Sequence, residues 1–264
     1  MGLREKGHIG DHSRNHQKES FRLSGVMKEI FYFDRSGPRN TKKVVELAKK
    51  RALENKIKYV IFPSSSGESA FMAVKAFKGT PAKLICVSTK TEESVPLEVL
   101  EKWGTFNEIP ELMDLIKKWK KEGRSGYGTY LPKMEAKKLE ALGVKVVYGD
   151  SPYDEPPFKV PVPFPELKTI GQLVILSQRL TCTGIEVSAK VAMMAANAGA
   201  IPKGAEVIAM GGTERGLDSA VVMRPGPSKK IFDENEGVDI REIICKPKNS
   251  CGISGKLLEK VAPE

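Results

Sequence analysis

Strand-like and helix-like segments alternate along most of this 264-residue sequence, and few folds accommodate that order. Apolar runs predict strands over 29–34, 59–62, 83–88, 144–148, 206–210, 219–224 and 241–246. Apolar residues at helical spacing predict helices over 41–55, 68–77, 110–122, 132–142, 166–180 and 184–198. The alternation predicts a three-layer α/β fold, in which a mostly parallel sheet is covered by helices on both faces.

The domain organisation follows from composition. Residues 28–264 are predicted to form a single α/β ligand-binding domain, and 1–27, rich in glycine, serine, asparagine and charges, a flexible N-terminal tail. A basic, proline-rich insertion around 89–165 can form a lid or a contact in a homo-oligomer. Its end, 150–165, contains six prolines and is predicted as an extended surface connection.

Histidine usage narrows the possible chemistry. His8, His12 and His16 are the only histidines, and all lie in the predicted tail. On a helix they would share a face suited to a metal, but the polar composition around them favours a flexible segment and no metal site. Histidine-based acid–base catalysis is therefore excluded from the body unless the tail reaches it.

Cysteine spacing and hydropathy indicate the compartment. Cys86 and Cys245 end apolar strands, Cys182 lies in a turn, Cys251 lies near the C-terminus, and no pair has C-x-x-C spacing. Buried thiols in a reducing compartment are expected, with Cys182 the one candidate for a reactive thiol because it precedes a helix. No apolar run approaches the roughly 20 residues that span a bilayer, and the N-terminus lacks the apolar centre of a signal peptide. We therefore expect a cytoplasmic protein with no membrane partner.

The segment Y-V-I-F-P-S-S-S-G-E-S-A, residues 59–70, reads as a strand, a hydroxyl-rich turn and a helix start. We call residues 64–69 the serine turn. Gly67 permits a sharp turn, and Ser64, Ser65, Ser66 and Ser69 offer hydroxyls beside the free N–H groups of a helix start. The turn is predicted to hold phosphate; the alternative is an ordinary serine cap of the helix.

A second polar cluster, G-G-T-E-R-G-L-D, directly follows the strand predicted over 206–210. We call residues 211–218 the glycine loop. Gly211 and Gly212 allow a ligand to approach the backbone closely, and Thr213 supplies a hydroxyl. Arg215 can form a bidentate contact with an anion, and Asp218 can accept hydrogen bonds from ligand hydroxyls. The alternative is a hairpin in which Arg215 and Asp218 pair with each other.

A third segment, R-S-G-P-R-N-T at 35–41, again follows a predicted strand. Its Thr41 either adds a hydroxyl to the site or caps the next helix. In parallel sheets, ligands gather at the carboxyl ends of the strands, so the three segments are predicted to meet at one edge.

The net charge of +10 favours anionic partners, and much of it is local. Residues 117–138 contain eight basic side chains against Glu122 and Glu135. A nucleic-acid groove would draw its aromatic groups from Trp119, Tyr127 and Tyr130, a small set that makes the solvated face of two helices the favoured interpretation.

The segments F-D-R-S-G-P-R-N-T, I-F-P-S-S-S-G-E-S-A and K-L-I-C-V-S-T resemble the C-terminal domain of pyruvate kinase. The body over 28–249 also resembles small stand-alone archaeal and bacterial proteins of pyruvate kinase C-terminal-like fold, through E-V-S-A-K-V-A-M-M-A-A-N-A-G-A-I-P, G-G-T-E-R-G-L-D-S-A-V-V-M-R-P and E-I-I-C-K-P-K-N. The kinase resemblance implies an anion site at the serine turn, and the second implies flavin mononucleotide (FMN). Glu68 departs from the kinase pattern, and its carboxylate would repel phosphate unless it points away or stabilises the start of the helix.

These observations predict a protein that binds a phosphorylated small molecule, FMN by resemblance, at the carboxyl edge of the sheet. The predicted site comprises Thr41, Ser64, Ser65, Ser66, Gly67, Ser69, Gly211, Gly212, Thr213, Arg215 and Asp218. The catalytic barrel of pyruvate kinase is missing, so that activity is not expected, and any other catalysis stays open. The alternatives are a non-enzymatic sensor of a phosphorylated sugar or nucleotide, and a nucleic-acid-binding protein using the 117–138 patch.

Overall fold

A computed structural model describes residues 25–90, 94–102, 108–154, 158–163 and 168–249. Its main sheet has seven strands in the order β1-β9-β8-β7-β2-β3-β6. These strands are β1 (Phe31–Phe33), β2 (Tyr59–Pro63), β3 (Lys83–Thr89), β6 (Lys145–Gly149), β7 (Val207–Gly211), β8 (Ser219–Arg224) and β9 (Asp239–Pro247). β8 runs antiparallel to both neighbours and the other strands share one direction. The predicted mostly parallel sheet is confirmed.

Helices cover both faces of this sheet, as the alternation predicts. They are α1 (Thr41–Glu54), α2 (Glu68–Phe77), α3 (Leu97–Lys102), α4 (Pro110–Lys121), α5 (Lys133–Ala141), α6 (Ile170–Arg179) and α7 (Thr183–Asn197). α2 matches its predicted bounds, and the others that the sequence predicts differ by a few residues at their ends.

Two apolar layers assign the helices to opposite faces. On β2, Val60 and Phe62 point into a cluster with Ala48 of α1 and with residues of α2 and α5. The intervening Ile61 points the other way, into a cluster with Ala189 and other residues of α7. Because successive strand residues face opposite sides, α2 and α7 lie on opposite faces of the sheet.

A small unit, here called the cap, is formed by residues 94–102 and 108–128. Its strands β4 (Ser94–Pro96) and β5 (Gly126–Gly128) pair antiparallel, and α3 and α4 enclose a separate apolar cluster. Trp119 stacks on Tyr127 there, with ring centroids 5.3 Å apart. The cap falls within the predicted insertion, whereas α5 and β6 from the same stretch belong to the main layers.

The prediction that 150–165 is only an extended surface connection is wrong, because Pro152–Asp154 forms a short 3-10 helix and Pro152, Tyr153 and Phe158 are buried. Tyr153 and Phe158 are buried and pack edge to face, together with Val174 and Met193. The Tyr153 hydroxyl donates to the side chain of Gln178 at 2.8 Å. The large apolar rings pack against α6 and α7, and this burial outweighs the extended preference of the neighbouring prolines.

The 117–138 patch has the character of a solvated face. Within it, Lys117, Lys118, Lys120, Arg124 and Lys138 each lie within 4.0 Å of a carboxylate oxygen. Within the described ranges, no helix is long and apolar enough to cross a membrane. The predicted histidine tail and Cys251 lie outside the described residues.

Candidate functional site

An open cleft of about 270 Å³ lies where β2, β3 and β7 end. Hydroxyl groups dominate its polar lining, which includes Thr41, Ser64, Ser65, Ser66, Ser69, Ser88, Thr89, Tyr127, Thr129 and Thr183. Its cationic lining residues are Arg179, Lys190 and Arg215, its acidic ones are Glu68 and Glu214, and its apolar ones include Met72, Val87, Val187, Val191 and Met194. This mixture of hydroxyls, cations and apolar side chains suits a small anionic molecule with an apolar or neutral part.

The cleft brings together members of all three segments that the sequence predicted. The predicted residues in its lining are Thr41, Ser64, Ser65, Ser66, Ser69, Gly212 and Arg215. The predicted residues Gly67, Gly211, Thr213 and Asp218 lie outside this lining, and their contact with a ligand stays a prediction. The expected meeting of the segments at one edge of the sheet is therefore realised in the fold.

The serine turn divides its hydroxyls between two tasks. Ser64 accepts from the Gly67 N–H at 3.0 Å, and Ser69 donates to the Pro63 carbonyl at 3.1 Å. Gly67 has φ +85°, a conformation that favours glycine. Ser65 and Ser66 instead face the cap and the glycine loop. The turn lies at the N-terminus of α2, whose dipole favours negative charge.

Arg215 and Glu68 form an ion pair across the cleft mouth. Arg215 donates to Glu68 at 3.2 Å and to the Ser66 hydroxyl at 3.1 Å, and its guanidinium lies 5.6 Å from the Trp119 ring centre. The Glu68 side chain is 66% exposed and that of Arg215 only 19%. The residue that departs from the kinase pattern is therefore neutralised by the arginine of the opposite loop.

Three loops surround the cleft: residues 35–41, here called the first loop, the serine turn and the glycine loop. The cap contacts each of them. Arg39 in the first loop pairs with Glu111 of the cap. The Tyr127 hydroxyl lies 3.4 Å from that of Ser65 and donates to the Glu214 carbonyl at 3.0 Å. The cap thus fixes the relative positions of the loops.

Asp218 joins two of those loops from below the cleft. It is fully buried, and one carboxylate oxygen accepts from the N–H groups of Gly37 and Thr213, both at 3.1 Å. The other accepts from the Ser219 hydroxyl at 3.0 Å. Burial raises the pKa of Asp218 above its ordinary value, opposed by these hydrogen bonds.

The alternative interpretation of the glycine loop is correct in its topology. β7 and β8 pair antiparallel, with Gly211 opposite Ser219, so the loop closes a hairpin. Its arginine pairs with Glu68 instead of Asp218. A Cβ on Gly211 would overlap the Gly184 carbonyl at the start of α7, so close packing of helix against hairpin explains this glycine.

Thr41 serves as a structural link. Its hydroxyl donates to the Pro38 carbonyl at 2.7 Å and accepts from the Leu217 N–H at 2.9 Å. The threonine therefore ties the first loop to the glycine loop while it lines the cleft.

Sequence reasoning missed a charged cluster on the α7 side of the cleft. Arg179 ends α6, and Glu186 and Lys190 are one turn apart on α7. On a helix, a Glu-to-Lys spacing of four reads as an ordinary surface pair. Only the fold shows that Glu186 is buried and that both cations line the cleft.

The expected burial of the thiols is confirmed for Cys86, Cys182 and Cys245, and it removes Cys182 as the candidate reactive thiol. The residue precedes α7 as expected but is 1% exposed, and burial raises the pKa of its thiol. Burial likewise raises the pKa of Cys86 and of Cys245 to about 12. Among the described residues there is no group of three or more histidine, cysteine, aspartate and glutamate side chains that could hold a metal ion.

No protein-family model matches this chain, so the geometry of the cleft carries the functional argument.

Proposed function

We propose that the cleft binds a phosphorylated small molecule through its phosphate, at the serine turn. The observation that carries this proposal is the convergence of Ser65, Ser66 and Arg215 at the N-terminus of α2. Hydroxyl donors, a guanidinium and a positive helix end are the groups that proteins use to hold phosphate. Glu68 neutralises the guanidinium in the absence of ligand, so an incoming phosphate exchanges one anionic partner of Arg215 for another.

FMN is the candidate that the family resemblance implies. With its phosphate at the serine turn, its ring system would lie against the apolar stripe of Val187, Val191 and Met194 on α7. A flavin would supply the redox chemistry, and the protein would orient it and exclude water. The cleft residues fit such a group in kind, since they combine phosphate donors with an apolar wall.

A compact ligand is the second candidate, favoured by the size of the cleft. At about 270 Å³ it falls just below the roughly 300–1,000 Å³ of typical ligand pockets. A phosphorylated sugar would occupy it more completely than a flavin, whose ring would extend through the open mouth. This favours a sensor of phosphorylated sugars as the alternative function.

Titration with FMN, riboflavin and glucose 6-phosphate tests the proposal. If FMN is the ligand, we expect it to bind at least about tenfold more tightly than riboflavin. If a phosphorylated sugar is the ligand, we expect glucose 6-phosphate to bind and both flavins to fail. A Ser65→Ala/Ser66→Ala variant should weaken the phosphorylated ligand about tenfold, while the exposed Ser125→Ala serves as a control. Equal binding of FMN and riboflavin would show that phosphate is not the anchor, and no binding of any of the three would remove both candidate ligands.

We expect Glu68→Gln to tighten phosphate-ligand binding by about two- to fivefold. The substitution removes the carboxylate that shares Arg215 with the ligand, and an exposed ion pair contributes only about 0.2–1 kcal/mol. Calorimetric titration with whichever of FMN and glucose 6-phosphate binds the wild-type protein measures the change in affinity. Glu46→Gln on α1, which removes another exposed carboxylate paired with a lysine, should leave the affinity unchanged. Weaker binding by Glu68→Gln would contradict the role assigned to this residue.

The nucleic-acid alternative gains no support from the described residues. Trp119 and Tyr127 are buried in the cap and unavailable to stack on bases, and Tyr130 stacks on Tyr148. Stacking platforms need exposed aromatic faces.

A further inference from the structure

A second cationic centre lies on the α7 side of the cleft, apart from the serine turn. Arg179 donates to one carboxylate oxygen of Glu186 through Nε and Nη2, at 3.3 and 3.2 Å. Lys190 Nζ lies 3.2 Å from the other oxygen. One buried carboxylate is thus flanked by two cations.

The charges of this cluster do not cancel. Glu186 is completely buried, and a buried carboxylate is stabilised by cationic partners. Arg179 and Lys190 both contact it, and both also line the cleft. Their side chains are 22% and 28% exposed, so they retain access to a ligand. The cluster presents about one net positive charge to the cleft.

This centre and the serine turn lie on opposite sides of the sheet edge. The serine turn leads into α2, and Lys190 lies on α7, on the other face of the sheet. Val187 and Val191 also line the α7 side, next to Lys190 in the helical repeat. Because both centres line the same cleft, a ligand whose phosphate is at the serine turn would direct its distal end toward Arg179 and Lys190.

We infer that Arg179 and Lys190 form a second anion subsite, and that the ligand is a compact phosphorylated carboxylic acid. A carboxylate matches the single net charge of the cluster, and the planar guanidinium is suited to forked contact with it. Glu186 is the positioning residue that holds both cations on the cleft wall. This inference rests on the proposed function, because it assumes that phosphate is held at the serine turn.

Two small phosphates of matched size test the inference by isothermal titration calorimetry. 3-Phosphoglycerate and glycerol 3-phosphate differ at their distal end by a carboxylate in place of a hydroxymethyl group. We expect the wild-type protein to bind 3-phosphoglycerate at least about tenfold more tightly. Lys190→Met should lose most of this preference while leaving the affinity for glycerol 3-phosphate within about twofold.

Two further variants act as controls. Lys203→Met removes a lysine that is 76% exposed and lies outside the cleft, and it should keep the full preference. Arg179→Lys retains the charge without the fork and should reduce the preference partially. Glu186 keeps at least one cationic partner in each single variant, so the fold is expected to persist.

The outcomes separate the two proposals. A preference for 3-phosphoglycerate that Lys190→Met abolishes supports the second subsite. Equal binding of both compounds, or a preference unchanged in Lys190→Met, overturns the subsite while leaving the phosphate site intact. If neither compound binds and the flavin and sugar phosphates also fail, the proposed function and this inference fall together; if only these two fail, the inference alone is overturned.

Discussion

An Asp218→Ala variant is expected to unfold roughly 10 °C below the wild-type protein. The substitution leaves the buried N–H groups of Gly37 and Thr213 without an acceptor, because both donate to the same carboxylate oxygen. Each orphaned buried donor costs about 1–3 kcal/mol, and with the lost Ser219 contact we expect a total of about 3–5 kcal/mol. Thermal unfolding followed by circular dichroism measures the shift.

Asp218→Asn is the matched control. An asparagine side chain can place its oxygen where both N–H groups converge and donate its amide to the Ser219 hydroxyl. That hydroxyl is 3.3 Å from the sulfur of Cys182 and can turn its proton there. We therefore expect Asp218→Asn to lose less than about 1 kcal/mol. Equal destabilisation by alanine and asparagine would show that the charge of Asp218, and not its acceptor geometry, stabilises the loops.

The wild-type protein and Asp218→Asn are also expected to differ in how their stability depends on pH. Burial holds the pKa of Asp218 above its ordinary value, so the folded state binds this proton more tightly than the unfolded state. The resulting stability is fully present below the unfolded pKa of about 3.9 and is lost as the pH rises through the folded pKa. Wild-type protein should therefore gain stability relative to Asp218→Asn as the pH falls from neutrality toward about 4.

The sheet could be predicted because its strands are short apolar runs with unambiguous ends. β2 follows the lysine-containing stretch 56–58 and ends at Pro63, and β8 has the predicted bounds, Ser219–Arg224. β4 and β5 were not predicted, because a strand of three residues is too short to show a periodic pattern. β5 also contains two glycines, Gly126 and Gly128. The buried ring of Phe158 escaped prediction for another reason: prolines around it indicate extended chain and say nothing of what packs beneath.

The cleft was predictable where chemistry follows a strand directly, and not where it depends on helix orientation. Ser65, Ser66 and Arg215 come shortly after strand ends, and a parallel sheet gathers such positions at one edge. Lys190 lies in mid-helix, where its direction depends on which face of α7 meets the sheet. Asp218 shows the opposite case. Its place in the glycine loop predicted contact with a ligand, but its side chain is fully buried and does not line the cleft.

Arg215→Met is expected to weaken phosphate-ligand binding by about 10- to 100-fold. It removes the only cation at the serine turn among the described cleft-lining residues, and hydrogen bonds to charged groups contribute about 1.5–3 kcal/mol. Methionine retains much of the apolar stem that packs toward Trp119. Arg241→Met, which removes an arginine paired with Glu206 outside the cleft, should bind normally. Unchanged affinity in Arg215→Met would place the phosphate elsewhere.

Combining Arg215→Met with Glu68→Gln distinguishes two ways in which the glutamate can act. If Glu68 competes with the ligand for Arg215, its removal helps only when the arginine is present, and the gain disappears in the Arg215→Met background. If the carboxylate repels phosphate directly, the gain persists there in full. Because the Glu68 side chain is 66% exposed, water and salt screen direct repulsion, and the competition mechanism predicts non-additivity in the double-mutant cycle. A strictly additive cycle would contradict competition and leave Arg215 and Glu68 as independent contributors to affinity.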